Sequence, residues 1–397
     1  MKFNYFVEDD NGNSEKKITI NGEMIKFPNT YSYVYKEPVP QDKKIEELVH
    51  GLIRNMDVTV NSSALKGQVA QRVFVGERAI HSGENLQNLN IKSNRGKHRQ
   101  DTTIMTTVSA IACRSAQDMF KDQNSIEEGA NIEAIVSMVT ALPASEWTKE
   151  QAKQLSKRFT NSSHHVTVTV GDLRVYVTLK FEKVIVVQEG NIALFALIED
   201  GNGKYRNDEI FNDFKETYDM KDITGEYFQE KRLLHIDIGD GTTEYVVTKG
   251  YDYDNDHNSG ERHGIGHAIE RAKKDFEDEW GFTIQRQEFA GYLKEEHPKY
   301  YEDAKKFLAR AKFNLALEVL DTAETKLQDL KYDVEVVVVY GGGSIQLKEN
   351  FFEDLKEICD SKKIKILWIN AKNATEMNVK GMAVFSSIVF QKEQVNR

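Results

Sequence analysis

Leu234-His235-Ile236-Asp237-Ile238-Gly239-Asp240-Gly241-Thr242-Thr243-Glu244 is the stretch that decides how this chain is read. An apolar run ends in Asp-x-Gly-x-Gly-Thr-Thr, and a second β-rich run, Tyr245-Val246-Val247, follows at once. Glycines let a hairpin fold tightly and bring backbone N–H groups against a bound anion. The threonine hydroxyls add donors. Asp237, at the strand end, can hold a hydrated Mg²⁺ beside phosphates. The pattern is a phosphate clamp on a β-hairpin, unlike the Gly-Lys-Ser/Thr loop that opens a helix. The competing reading is a plain glycine-rich turn.

Composition narrows the class. The 397 residues suffice for two lobes of ordinary domain size. Apolar content of 40% and charged content of 29% fit a globular protein with a real core. No uninterrupted apolar run approaches the roughly 18–20 residues of a membrane span. Glu8, Asp9 and Asp10 make the N-terminus unlike a signal or transit peptide, so a cytoplasmic protein is expected. Cys113 and Cys359 are far apart and read as free thiols. A net charge of −10 argues against broad direct binding to nucleic acid, which needs a basic footprint.

Along the chain, strands and helices alternate. Residues 3–8, 17–20 and 24–27 read as strands, with a turn over Asp9–Ser14. Residues 43–54 have helical spacing, 82–102 read as a connecting segment, and a helix follows to about Lys121. A buried strand covers 132–141 and a helix Lys149–Phe159; strands at 164–170, 173–180 and 183–188 come next, then a helix starting at Ile192. Beyond the Asp237 hairpin lie an acidic loop (252–264), helices at 266–279 and 303–330, and the buried strand Val334–Tyr340. That strand ends in Gly341-Gly342-Gly343-Ser344. A helix, a strand at 364–369 and a last helix from about Glu376 complete the chain.

Two hairpins share one logic. Asp10-Asn11-Gly12-Asn13-Ser14 is a strand–acid–Gly turn–strand, as is the Asp237 segment. Gly341–Ser344 sits where open α/β sheets bind ligands, ahead of a helix. With these in place the chain resembles the actin-fold ATPases, and within them the ParM-like bacterial actins that segregate plasmids. Asp10-x-Gly12-Asn13-Ser14 is similar to their first phosphate motif, Asp237–Thr243 to the second, and Gly341–Ser344 to the adenosine motif. Phe74-Val75-Gly76-Glu77-Arg78-Ala79 resembles a Gly-x-x-Ala element of that branch, and Val139-Thr140-Ala141-Leu142-Pro143 its strand ending in Gly-Leu-Pro, with Ala141 for glycine. At the first motif Asp9 and Asp10 are adjacent, so the functional acid is open between them, with Asp10 preferred for its Asp-x-Gly spacing; Lys16 or Lys17 is the phosphate contact.

The resemblance implies an α/β, actin-like, ribonuclease H-like duplicated fold with two lobes and a nucleotide in the interlobe cleft. Lobe I is expected at 1–232 with an insert near 36–100, lobe II at 233–374 with an insert near 252–305, and a C-terminal helix at 375–397 returning to lobe I. It implies ATP, with GTP as the alternative, and Mg²⁺ held through waters by Asp10 and Asp237. Gly12, Asn13, Ser14, Lys16, Gly239, Gly241, Thr242 and Thr243 would meet the phosphates, and Gly341, Gly342, Gly343 and Ser344 the nucleoside. Val184–Val187 runs into Gln188-Glu189-Gly190, like that branch's strand ending in Pro-Glu. Glu189 is the candidate for activating water, with Gln188 second; the bland reading is a solvated acid at a helix start. The implied function is a polymerising ATPase, its partners being further copies of itself and a DNA-binding adaptor on a centromere-like plasmid site. Neither direct DNA contact nor a membrane is expected. The alternative is a sugar or small-acid kinase of the same superfamily; a chaperone-type ATPase has no room for a peptide-binding domain.

Other patterns carry less. His263 and His267 have i,i+4 spacing but no third ligand at metal spacing. Asp252, Asp254 and Asp256 alternate like the start of a Ca²⁺ loop, but Gly260 is out of register, so a solvated acidic loop is expected. His164-His165 reads as surface.

Overall fold

The computed structural model describes residues 1–38, 43–67, 69–82, 85–90, 96–254, 256–294 and 298–395. They form two compact units: Met1–Leu142 with Glu146–Val187 and Ser386–Arg397, and Pro143–Ser145 with Gln188–Phe385.

The first unit is built on a ten-stranded sheet. At its centre the strand Lys2–Asn11 runs parallel to Ala130–Leu142 and antiparallel to Glu15–Ile20. The turn expected over Asp9–Ser14 is therefore shorter. Asp9, Asp10 and Asn11 stay in the strand, because both neighbours pair with them: Asp9 lies opposite Thr140, Asp10 opposite Lys17 and Asn11 opposite Lys16. Asp10 has a lysine directly across from it, an opposite-charge pair that a sheet face favours. The strands expected at 173–180 and 183–188 are one, Leu173–Gln188, since no turn residue interrupts its alternation. Of the segment expected to connect at 82–102, residues 83, 84 and 91–95 lie outside the described residues.

The helix Asp101–Gln123 fills this unit's core, with Ile104, Met105, Val108, Ile111 and Ala112 fully buried. Its buried hydroxyls need partners away from water. Thr106, Thr107, Ser109 and Ser115 each donate to the carbonyl four residues back, at 2.6–2.8 Å. His164 is not at the surface as expected. It is buried, bonded through Nδ1 to the Ser62 hydroxyl (2.8 Å) and through Nε2 to the Phe159 carbonyl (3.0 Å), while its neighbour His165 faces outward. Period-two alternation allows only one of two consecutive strand residues to face solvent.

The second unit holds a six-stranded sheet in which Arg232–Ile238, Val336–Tyr340 and Lys365–Trp368 run parallel and Thr243–Lys249 pairs antiparallel with the first. The parallel strands are covered on both faces, which explains their near-continuous apolar runs. Leu234, Ile236 and Ile238 pack under the helices Ile265–Trp280, Pro298–Asp329 and Gly342–Ser361. On the other face Leu233, Val336, Val338 and Tyr340 meet Ala193–Ile198, Phe211, Phe214, Phe228 and Met377. Alternation places His235 and Asp237 on that second face. The helix expected to start at Ile192 is a single short piece, Ala193–Ile198. The acidic segment 252–264 contains two short strands, Asp252–Tyr253 and Ser259–Glu261, both pairing with Thr243–Lys249. The last helix is Met377–Val395.

Candidate functional site

In the second unit the strand register brings the acids together. Asp237 stands opposite Glu244 across the hairpin and beside Tyr340 on the parallel neighbour. All three are buried, as is Glu189 in the turn after the long strand Leu173–Gln188. Glu244 accepts from the Ser145 N–H (3.1 Å) and hydroxyl (3.3 Å). Its carboxylate occupies the space over Gly260, where a Cβ would come within 2.2 Å of it. Burial pushes the Glu244 carboxyl up to about 8, and the nearby charges of Glu189 and Asp237 act in the same direction. Burial also raises Tyr340, with Asp237, Glu244 and Glu189 adding to it. Three buried carboxyl groups whose charges act on one another favour protonation of at least one of them.

The hairpin itself is tied down. Gly239 N–H closes the turn on the Thr242 carbonyl (2.9 Å), and the carbonyls of Gly239 and Asp240 accept from Ile265 (3.0 Å) and Gly266 (2.7 Å) at the start of the next helix. A Cβ on Gly264 would lie 2.2 Å from the Asp240 carbonyl oxygen, so that approach requires glycine. Asp240 is neutralised by Arg286, which makes two contacts at 2.5 and 3.2 Å. Thr243 donates its hydroxyl to the His263 carbonyl (2.8 Å), and His267 Nε2 bonds the Gly241 carbonyl (3.0 Å). His263 and His267 thus belong to the hairpin's support; among the described residues no three His, Cys, Asp or Glu side chains come close enough to hold a metal ion.

Gly341 has φ +90, and a Cβ there would meet the Ile238 carbonyl oxygen at 2.4 Å and Asp237 Oδ1 at 2.5 Å. A Cβ on Gly343 would meet Ile238 Cγ2 at 2.5 Å. These two glycines let the helix start pack on the end of the Asp237 strand. Gly342 differs: among the described residues beyond its own helix backbone, a Cβ would have within 4 Å just Thr375 Cγ2, at 3.8 Å. Backbone there is open to approach. The Ser344 hydroxyl, fully buried, donates to the Gly341 carbonyl (2.8 Å).

Sequence reasoning missed the residue that links these parts. Asn378, in the first turn of the last helix, donates through Nδ2 to Asp237 Oδ2 (2.8 Å) and accepts at Oδ1 from the Gly190 N–H (3.1 Å). Gly190 has φ +81, and its carbonyl accepts from the Tyr340 hydroxyl (3.2 Å). The adjoining Gln188 accepts from Asn191 Nδ2 (2.8 Å). Glu189 is thus a buried acid in a fixed turn, not a solvated acid at a helix start.

The first unit's hairpin separates its two aspartates onto opposite strand faces. Asp9 is fully buried; Lys16 Nζ lies 2.8 Å from its Oδ1, and its other oxygen accepts from Thr107 (2.7 Å) and Asn11 (2.9 Å). Lys16, also fully buried, further donates to Thr107 (2.9 Å) and Asn11. Burial lowers the Lys16 ammonium, and Asp9 opposes it. Asp10 faces the other way. Burial raises its carboxyl, opposed chiefly by Lys17 and Lys97. Lys17 also lies 3.4 Å from Glu15 at the rim. Lys97 had no sequence signal; it reaches Asp10 from a short turn held by Glu146, Thr103 and Arg158. Gly12 is required, since a Cβ would lie 2.4 Å from the Glu15 carbonyl oxygen. Asn29 holds the Gly12–Ser14 turn through the Gly12 carbonyl (2.7 Å) and the Ser14 carbonyl (2.9 Å). Gly76 turns at φ +66 against Phe27, a packing role. In the acidic segment Asp254 pairs with Arg232 and His257. Among the described residues no helix is long and apolar enough to cross a membrane.

Residues 10–191 match the family model for the N-terminal domain of actin-like proteins, and residues 235–353 that for the C-terminal part of the archaeal MreB-like actin homologue. No curated protein sequence matches. Among solved structures, the actin-like protein Alp7A aligns at 17% identity and TM-score 0.67 over 99% of both chains. A subunit of a 15-stranded ParM filament from Clostridium botulinum aligns at 17% identity and TM-score 0.66, over 97% of this chain and 99% of that one. ParM from Bacillus thuringiensis with ATP aligns at 13% identity and TM-score 0.58, over 98% and 99%.

Proposed function

We propose, from the premise that this chain has the actin-like fold of those structures, that it is a nucleotide-dependent, filament-forming ATPase that segregates plasmid DNA through a DNA-binding adaptor. The actin-like fold is common to the matched proteins, one of them a filament and another holding ATP. The observation that carries the reading to this chain is the Asp237, Glu189 and Glu244 cluster beside the open backbone at Gly342. Such a site fits a nucleotide with a divalent cation: acids for the cation, glycine backbone for the ligand, and a helix start at Gly342 whose dipole favours anions.

In this mechanism Asp237 would hold hydrated Mg²⁺ through waters. When bound, the ion neutralises phosphate charge. Glu189 orients the attacking water and takes its proton. Glu244, holding its own proton near neutral pH, adds no third negative charge. In the first unit Asp10 would play the part of Asp237. Lys17 and Lys97, on its face, suit phosphate contact better than Lys16, which is enclosed by Asp9, Asn11 and Thr107. ATP is the expected nucleotide, with GTP as the alternative, and the cytoplasm the expected location.

A filament repeats one heterologous contact without closing. Nucleotide can control it only through different affinity for the assembling and non-assembling states. The test is pelleting and light scattering against protein concentration with Mg-ATP, a slowly hydrolysed analogue or ADP. A lower critical concentration with ATP is expected. A chain that stays monomeric with ATP and phosphorylates a small acceptor would overturn the reading.

A further inference from the structure

We propose that Asn378 is a positioning residue that holds the cation-binding acid Asp237 and the water-activating turn at Glu189 in one fixed arrangement. The inference rests on the roles proposed above for those two acids. Its basis is geometric. A single carboxamide donates to Asp237 Oδ2 at 2.8 Å and accepts from Gly190 N–H at 3.1 Å. Turning the amide over would set its oxygen against a carboxylate and its NH₂ against an N–H, so the partners dictate its orientation.

Everything around the carboxamide resists adjustment. Gly190 occupies a left-handed conformation, φ +81, and a Cβ there would lie 2.7 Å from Val246 Cγ2. Tyr340 fixes the Gly190 carbonyl from the other side. One helical turn beyond Asn378, Gly381 lets the last helix approach so closely that a Cβ would lie 1.9 Å from the Ile192 carbonyl oxygen. The helix is therefore docked against the turn 188–192 at two points, Gly190 and Ile192. Asn378 is the member of this contact that also reaches an acid of the site. Reactive groups must be held to within fractions of an ångström, and a positioning bond acts by removing alternative placements.

Two variants separate the halves of the interaction. Asn378→Asp keeps the size and the acceptor for Gly190 N–H but replaces the amide donor to Asp237 with a second carboxyl, which can restore that bond only while it holds a proton, so its turnover is followed from pH 6 to 9. Asn378→Leu removes both. Hydrogen exchange on the nucleotide-free protein reads the first half: the Gly190 amide should exchange at least about tenfold faster in Asn378→Leu and near the wild-type rate in Asn378→Asp. Phosphate release at saturating Mg-ATP reads the second: both variants should lose at least about tenfold in kcat, with KM within about threefold. Nucleotide affinity and thermal midpoint are measured alongside. The inference is overturned if Asn378→Leu turns over at the wild-type rate, if Gly190 exchange is unchanged in Asn378→Leu, or if kcat falls only together with nucleotide affinity and melting temperature. Wild-type protein that binds no nucleotide would instead remove the reading on which it rests, and the exchange result alone would then describe a structural bond.

Discussion

Glu244→Gln should make the protein's stability less dependent on pH, with a predictable size and sign. Glu244 is buried, and its carboxyl is raised from an ordinary 4.5 to about 8, first by burial and then by Glu189 and Asp237. A carboxyl raised on folding binds its proton more tightly in the folded state. Its neutral form therefore costs nothing below the unfolded value. Stability is then lost as pH climbs from about 4.5 to about 8, and no more is lost above that. At about 1.4 kcal/mol per unit, the loss is on the order of 3 kcal/mol at pH 7 and 5 kcal/mol at pH 8 and beyond. Glutamine has the same shape and cannot ionise. Other titrating groups are common to both proteins and largely cancel in the difference. The assay is urea unfolding of nucleotide-free wild type and variant from pH 5 to 9, followed by tryptophan fluorescence. The variant's advantage should grow by roughly 3 kcal/mol between pH 5 and 7, rise further to pH 8, and then level off. An advantage constant across the range would refute the claim that Glu244 is held neutral, and one that grew toward acid pH would reverse its sign.

Lys16→Met should leave Asp9 as a buried, uncompensated charge and cost about 3–5 kcal/mol in urea unfolding, far more than Lys17→Met; equal, small losses would make Lys16 a surface-like contact after all. Gly341→Ala should lose stability and disturb the Asp237 strand, since its Cβ has nowhere to go near Ile238; a wild-type unfolding midpoint would argue against that packing. His164, pushed down to about 4 chiefly by burial, should stay neutral in NMR spectra at pH 5. A depressed histidine contributes stability present above about 6.5 and lost as pH falls toward 4, so a ring already protonated at pH 6 would contradict its burial. Glu189→Gln should bind ATP and assemble yet release phosphate at least about 10²-fold more slowly; unchanged release would move water activation to another group.

How much of this was legible in the residues depends on the range of the signal. Asp237-x-Gly-x-Gly-Thr-Thr and Gly341-Gly342-Gly343 are local patterns, because a tight hairpin and a strand-to-helix turn are satisfied by a few neighbouring residues. The buried strand at 336–340, the long amphipathic helices and the α/β class follow from periodicity, which is also local. By themselves, then, the residues determined the α/β class and the two acidic hairpins, while Glu189 became a candidate only through the family resemblance. Partnership was decided by tertiary structure. Asp9 and Asp10 are adjacent in sequence, yet strand alternation sends one to Lys16 and the other toward Lys17 and Lys97. Lys97 and Asn378 lie in segments with no motif; one reaches the first hairpin from a turn fixed by Arg158, the other reaches Asp237 across 141 residues of chain. His164 and Glu244 look like ordinary strand polar residues until packing buries them. Hydrogen bonds and burial between residues far apart in the chain leave no period in the sequence, so only the folded arrangement determines which charges are neutralised, which are neutral and which are held for chemistry.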